Sequence, residues 1–286
     1  MRGEARIRPT RGGEDKEGMI EQTEKRSKER KKNLYVLRSM IKQNVRFKYR
    51  NSTLGVFWTV LRPVLEMLVM WMVFSQLFGR NDPTYHLYLL SGTIAFGVMS
   101  EATNSSLGSI VHSAGLLKST KLQYEIIPLS RTLSSLVNFT FSGAALLCIM
   151  IVTTFVVDTY AISWTLVFVV VWLPALVLFS YGMSLLLAAL FVFFRDIQHL
   201  YGVFITLWRY LTPMFYKADS LKDSWVYPFI QINPMTQYVD FIREIAVYAT
   251  VPSPSQFILI YGFAIAFYGL GAIVFKSLKR KFILYI

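Results

Sequence analysis

Residues 162–194 read ISWTLVFVVVWLPALVLFSYGMSLLLAALFVFF and carry no charge. As a helix rising about 1.5 Å per residue, this stretch reaches about 48 Å, longer than a ~30 Å hydrocarbon core. It therefore has to tilt, project beyond the membrane, or bend at Pro174. A backbone in hydrocarbon must satisfy its own hydrogen bonds, and a helix does so within one segment. Working outward, five more apolar stretches fall at 56–78, 85–101, 133–157, 198–215 and 256–275. The predicted fold is all-α: a polytopic membrane protein of six transmembrane helices.

The chain has 286 residues, is 54% hydrophobic and carries a formal charge of +13. The charge is concentrated at the start, where residues 1–62 hold 17 Lys and Arg against seven Asp and Glu. Beside a membrane helix such a patch reads as orientation and anionic lipid rather than nucleic acid. Residues 1–32 are charged and nearly free of large apolar side chains, which predicts a disordered cytoplasmic tail. In 33–50, Leu34, Leu37, Ile41 and Val45 recur at helical spacing beside Arg38, Lys42, Arg46 and Arg50. That pattern predicts an amphipathic interface helix. Its bland role is an anchor on anionic lipid. Its sharper role is to receive a lipid phosphate, with Arg46, Lys48 and Arg50 as the candidate residues.

Further basic residues gather at 118–131, at Arg195 and at the C-terminus. An even number of spans puts all of these on one side, and the positive-inside rule makes it cytoplasmic. Both termini are then cytoplasmic and the protein sits in the plasma (inner) membrane. Arg62 and Glu66 lie one turn apart near the start of the first span and are expected to pair. Asn233-Pro234 has the cap-then-proline order of a helix start. Two short helices are expected between the fifth and sixth spans, with Tyr238, Val239, Ile242, Ile245 and Ala246 on one face opposite Asp240, Arg243 and Glu244. The one cysteine, Cys148, reads as an ordinary buried side chain.

Catalytic signatures are absent from the sequence. There is no GxxxxGK[ST], no HExxH and no GxSxG, and Gly115-Leu-Leu-Lys118 lacks the glycine before its lysine. Most spans show no ionisable residue near their middle, unlike proton-driven carriers. No metal site or cofactor is expected in this chain. Two aromatic stripes stand out: Phe57, Trp71, Phe74 and Phe78 on the first span, and Tyr201, Phe204, Trp208 and Phe215 on the fifth. Packing and interface belts explain many such residues. Stripes at mid-membrane depth also suit sugar rings, which present apolar faces and hydroxyl rims.

Four segments carry a resemblance to a known family. They are KYRNSTLGVFWTVLRPVLEMLVMWMVFSQLFG (48–79), YLLSGTIAFGVMSEATNSSLGSIVHSAGLLK (88–118), EIIPLSRTLSSLVNF (125–139), and FFRDIQHLYGVFITLWRYLTPMFY with INPMTQYVDFIRE (193–244). The chain resembles the membrane subunit of ABC-2 type exporters of O-antigen, capsule and teichoic acid. The resemblance covers nearly everything after residue 33. It implies a homodimer with two ABC ATPase subunits that supply ATP and Mg chemistry from outside this chain. It implies a coupling helix at Leu116, Leu117 and Lys118, and outer gate helices between the fifth and sixth spans. It places the first and fifth spans along a channel for a lipid-linked glycan. The channel-lining candidates are then Trp71, Phe74, Phe78, Tyr201, Phe204, Trp208 and Phe215. Two other functions compete: an ABC-2 pump for a drug or simple lipid, and an integral membrane enzyme on lipid-linked sugars. The enzyme needs a polar constellation near one interface, which the sequence does not display.

Overall fold

The computed structural model describes residues 11–50, 55, 57–75, 82–120, 122–157 and 162–285. Phe78, one of the predicted channel residues, lies outside them. The described residues form a helical bundle with no strand among them.

Helix α1 runs Arg11–Tyr49. It includes residues 11–32, where composition predicted disorder. Glu, Lys and Arg are good helix formers without tertiary help, and Glu24 and Lys28 approach to 3.8 Å one turn apart. In the later part, Met40, Val36 and Leu37 lie on Ile126 and Ile127. Arg38, Lys42, Arg46 and Arg50 stay exposed, as the amphipathic pattern requires.

Helix α2 (Phe57–Phe74) contains Pro63, which has no N–H to give the Thr59 carbonyl four residues back. The Ser142 hydroxyl on the neighbouring helix donates to that carbonyl instead, at 3.1 Å. Helix α3 (Tyr85–Leu107) is mostly apolar or small as far as Met99, so that part belongs in the middle of the bundle. Its side chains from Tyr85 to Met99 are largely inaccessible. Short helices α4 (Ser109–His112) and α5 (Ala114–Ser119) follow.

Helix α6 (Ile126–Val157) begins seven residues before the predicted third span, with Pro128 inside its first turn. A first-turn N–H has no intrahelical partner, so a proline there costs little. A 3-10 turn (Trp164–Phe168) leads into α7 (Val169–Phe193), which continues through Pro174. Helix α8 (Ile197–Leu211) stops before Thr212-Pro213. Helices α9 (Tyr227–Ile232) and α10 (Pro234–Ala246) precede α11 (Pro254–Leu278), and α12 (Phe282–Tyr285) ends the chain.

Among the described residues, four segments are long and apolar enough to cross a membrane: Phe57–Phe74, Ile126–Phe155, Trp164–Phe193 and Pro254–Tyr285. The two other predicted spans differ in kind. Helix α3 carries Glu101 and a polar last turn, while α8 has 15 residues, about 22 Å, short of the ~30 Å core. Cys148 is exposed on α6 rather than buried.

The α7–α11 crossing is backbone on backbone. A Cβ at Gly182 would lie 2.5 Å from the Phe267 carbonyl, and one at Gly271 would lie 2.1 Å from the Gly182 oxygen. Small residues permit this approach, which dispersion then rewards. At one end of the bundle, Lys279 pairs with Glu125 at 2.7 Å. That contact gathers the C-terminal basic cluster, the start of α6 and α1 together. At the other end, Lys217 pairs with Asp82 at 3.0 Å.

Candidate functional site

A cavity of about 600 Å³ lies between α2 and the α3–α6 pair. One stripe of α3 supplies Thr93, Gly97, Ser100, Glu101 and Asn104 to its wall. These positions recur every three or four residues, the spacing of one helical face. Asn138 and Ser142 on α6, and Thr59, Arg62 and Glu66 on α2, face them. Trp58, Phe96, Phe139 and Phe215 supply apolar surface. The lining therefore alternates ring faces with hydroxyl and amide groups.

The end near α1 is built as a network. Lys48 reaches Glu101 at 2.5 Å. Asn138 donates from its amide to the same carboxylate and accepts from the Tyr49 hydroxyl. Burial, then the Glu101 charge, push the Tyr49 phenol up to about 12, so it stays a donor. Arg62 and Glu66 pair at 2.9 Å, as their spacing predicts. Lys48, a predicted phosphate residue, is thus engaged at the cavity mouth. Arg46 is exposed on α1, and Arg50 lies 5.5 Å from the Phe47 ring centroid.

Farther in, Arg209 of α8 faces the cavity. Its guanidinium lies 5.7 Å from the centroid of Phe96, at the midpoint of α3. Among the described residues it makes no ion pair and no hydrogen bond. On insertion scales an arginine at the centre of a membrane helix costs about 2.5–3.5 kcal/mol, so a charge inside an apolar stretch is a candidate functional residue. Attention to aromatic periodicity passed over Arg209. The signal was there: it is the lone charge in an apolar stretch.

The predicted channel residues divide between wall and core. Trp71 and Phe204 are each 46% exposed. Tyr201 and Trp208 are buried, at 4% and 7%. The Tyr201 hydroxyl donates to Thr103 at 2.6 Å, and the Trp208 indole donates to Asn233 at 2.7 Å. Phe215 is buried and stacks on Phe74 with centroids 5.9 Å apart. Phe204 packs against both Tyr201 and Trp208, at 6.1 and 5.2 Å. Among the described channel candidates, Phe215 alone lines this cavity; Tyr201 and Trp208 are buried in the bundle, and Trp71 and Phe204 present half-exposed rings outside the cavity lining. In the predicted coupling helix, Leu116 is exposed and Leu117 packs under α6 and α12. Lys118 is also exposed.

Helix α10 departs from expectation. It packs inside the bundle against α3, α7 and α11. Arg243, assigned by pattern to the polar face, is 1% exposed. The segment after α8 is not helical, so its carbonyls need donors from elsewhere. Arg243 donates to the carbonyls of Pro213 at 2.7 Å and Met214 at 3.1 Å. Tyr85 donates to Phe215 at 2.5 Å, and Tyr88 to Tyr216 at 2.7 Å. Arg243 also lies 3.4 Å from the Tyr88 ring centroid and 3.5 Å from Asp240. Asn233 caps α10 through the Met235 amide at 3.0 Å, as its sequence order predicts. This lock fixes the far rim of the cavity, where Met214 and Phe215 sit.

Comparisons with known proteins bear on what such a cavity serves. The model of the ABC-2 type transporter family matches residues 35–247. An O-antigen export system permease protein of Myxococcus xanthus is 25% identical over 248 residues, covering 86% of this chain and 94% of that protein. A permease of the same description from Klebsiella pneumoniae is 27% identical over 251 residues, covering 84% and 90%. A polysialic acid transport protein of Escherichia coli is 22% identical over 205 residues, covering 71% and 77%. The family match takes in the packed half of α1, the cavity walls and the Arg243 lock, and with them most of the bundle: the chain belongs to the ABC-2 type transporter family.

Proposed function

We propose that this chain is the permease subunit of an ATP-driven exporter that moves a lipid-linked cell-surface polysaccharide to the outer side of the plasma membrane. The observation that carries the reading is the extent of the likeness to O-antigen export permeases, over 84–86% of the chain. The cavity supports the cargo class, because ring faces interleaved with hydroxyl and amide groups match the two sides of a sugar. In this reading α3 and α8 are the second and fifth of six crossings. The basic end of the bundle is cytoplasmic by the positive-inside rule. The chain works as a homodimer, and ATP is hydrolysed by two separate subunits docked on the α5 side, where Leu116 is available.

Passage requires sites that each bind weakly, since one tight site stops conduction. The half-exposed rings of Trp71 and Phe204 suit such contacts, with Tyr201 and Trp208 buried behind Phe204. The test is deletion of the gene in its own host, with complementation. Loss of surface glycan and accumulation of lipid-linked glycan inside, both reversed by the intact gene, is the expected result. Normal surface glycan with lost efflux of a small amphiphile would replace this reading with a pump for a drug or simple lipid. Complementation by a Trp71→Ala, Phe204→Ala double variant at normal protein level, with normal export, would remove the aromatic contacts from the mechanism.

A further inference from the structure

Three cations border the cavity, and they are not equivalent. Lys48 has Glu101 at 2.5 Å and Arg62 has Glu66 at 2.9 Å. Arg209 is the one of the three without a carboxylate partner among the described residues. It is partly exposed, faces the cavity, and stands beside the midpoint of α3. The Phe96 ring centroid lies 5.7 Å from its guanidinium, whose N–H donors have no hydrogen-bond partner among the described residues. A charge in that position is stabilised most by an anion that enters from the cavity. Low local dielectric strengthens such a contact well beyond its value in water. A planar guanidinium also matches the oxygens of phosphate or carboxylate two at a time.

We propose that Arg209 is an anion-reading residue of the cavity, and that its ligand is a phosphate- or carboxylate-bearing group carried by the transported molecule. The anion is held by the guanidinium on the cavity side, beside Thr93, Gly97 and Ser100 of the α3 stripe, and moves on because Arg209 is a single contact. The proposal rests on the permease reading only for what the anion is attached to. A lipid diphosphate and an acidic sugar offer the same chemistry to Arg209.

The experiment uses the purified full-length chain in nanodiscs and measures binding of four probes. These are a polyprenyl diphosphate, the corresponding neutral polyprenol, inorganic pyrophosphate and a uronic-acid oligosaccharide. Wild type is expected to prefer the anionic over the neutral lipid. Arg209→Gln is expected to lose that preference by roughly tenfold to hundredfold, the scale of one or two charge-assisted hydrogen bonds. Arg209→Lys, which keeps the charge but not the fork, is expected to retain part of it. Arg209-dependent binding of the lipid diphosphate assigns the anion to the carrier. Such binding confined to the oligosaccharide or pyrophosphate assigns it to the polymer or a free anion. Equal anion binding by wild type and Arg209→Gln, or none by either, overturns the proposal; the latter result would follow if a second subunit neutralised Arg209. Should the Gln variant fail to fold, wild type supplies the readout. Pyrophosphate, the lipid diphosphate or the uronic-acid oligosaccharide should protect Arg209 from phenylglyoxal, read by mass spectrometry, and absence of protection by all three overturns the proposal. Surface glycan that survives deletion of the whole gene refutes the permease reading instead, so the two failures are distinguishable.

Discussion

Replacing Arg243 by Met keeps a long side chain in the core and removes the α10 donors to the Pro213 and Met214 carbonyls. The Met214 carbonyl loses its 3.1 Å bond. The Pro213 carbonyl loses the 2.7 Å bond and keeps the weaker Tyr88 hydroxyl at 3.3 Å. One orphaned buried carbonyl costs about 1–3 kcal/mol. The desolvated cation–π contact with Tyr88 at 3.4 Å adds about 2 kcal/mol. Relief from burying the guanidinium itself offsets part of this, because isolated buried charge is expensive. A net loss of about 3 kcal/mol follows, or roughly two orders of magnitude in the folded ratio. Arg243→Lys should lose less, since an ammonium still reaches one carbonyl. The assay is reversible denaturant unfolding in micelles, followed by tryptophan fluorescence, with hydrogen exchange across 212–218. Trp208 is a built-in reporter, because its indole donates to Asn233, which in turn donates to Thr212 at 2.9 Å. A change below about 0.5 kcal/mol, with unaltered exchange in that segment, would refute the claim that Arg243 holds it.

Gly182→Ala should loosen the α7–α11 crossing. Its Cβ would sit 2.5 Å from the Phe267 backbone, and relieving that clash should cost about 1–3 kcal/mol in unfolding experiments. The Asp82 carboxyl gives a pH dependence. Burial alone would raise it, but hydrogen bonds from Thr84 and Lys217 outweigh burial and hold it below its ordinary value. Its contribution to stability is therefore present above the unfolded carboxyl range and is lost as pH falls through the lowered folded value. Asp82→Asn should flatten that acid-side decline in melting temperature. At the cavity mouth, a Lys48→Ala and Glu101→Gln double-mutant cycle should give a coupling of about 0.5–1 kcal/mol that shrinks in high salt, because both groups are partly solvated.

Much of the local structure was readable from residue order. The apolar runs at 56–78, 133–157, 162–194 and 256–275 became long helices, and Asn233-Pro234 capped α10 as its chemistry demands. Helix boundaries moved where a residue's cost depends on its place in the turn, as Pro128 shows at the start of α6. The site was less legible. Periodicity put Tyr201, Trp208 and Phe215 on a shared face, but α8 ends at Leu211, before Phe215, and Phe96 and Phe179 cover Trp208 while Leu187 and Phe191 cover Tyr201. Helical spacing identifies which residues share a side of one helix, but which helix covers that side is a matter of packing.

Sequence by itself determined that this is a membrane-embedded helical protein of the ABC-2 type, because uninterrupted apolar length and the order of its motifs are local properties of the chain. Tertiary structure alone decided the fate of its charges. Arg243 is buried because carbonyls from two distant segments converge on it, and Arg209 lines a cavity whose carboxylates among the described residues, Glu66 and Glu101, are engaged by Arg62 and Lys48. The free energy of a charge in a membrane is set by the partners that folding brings to it, and those partners are not neighbours in the sequence.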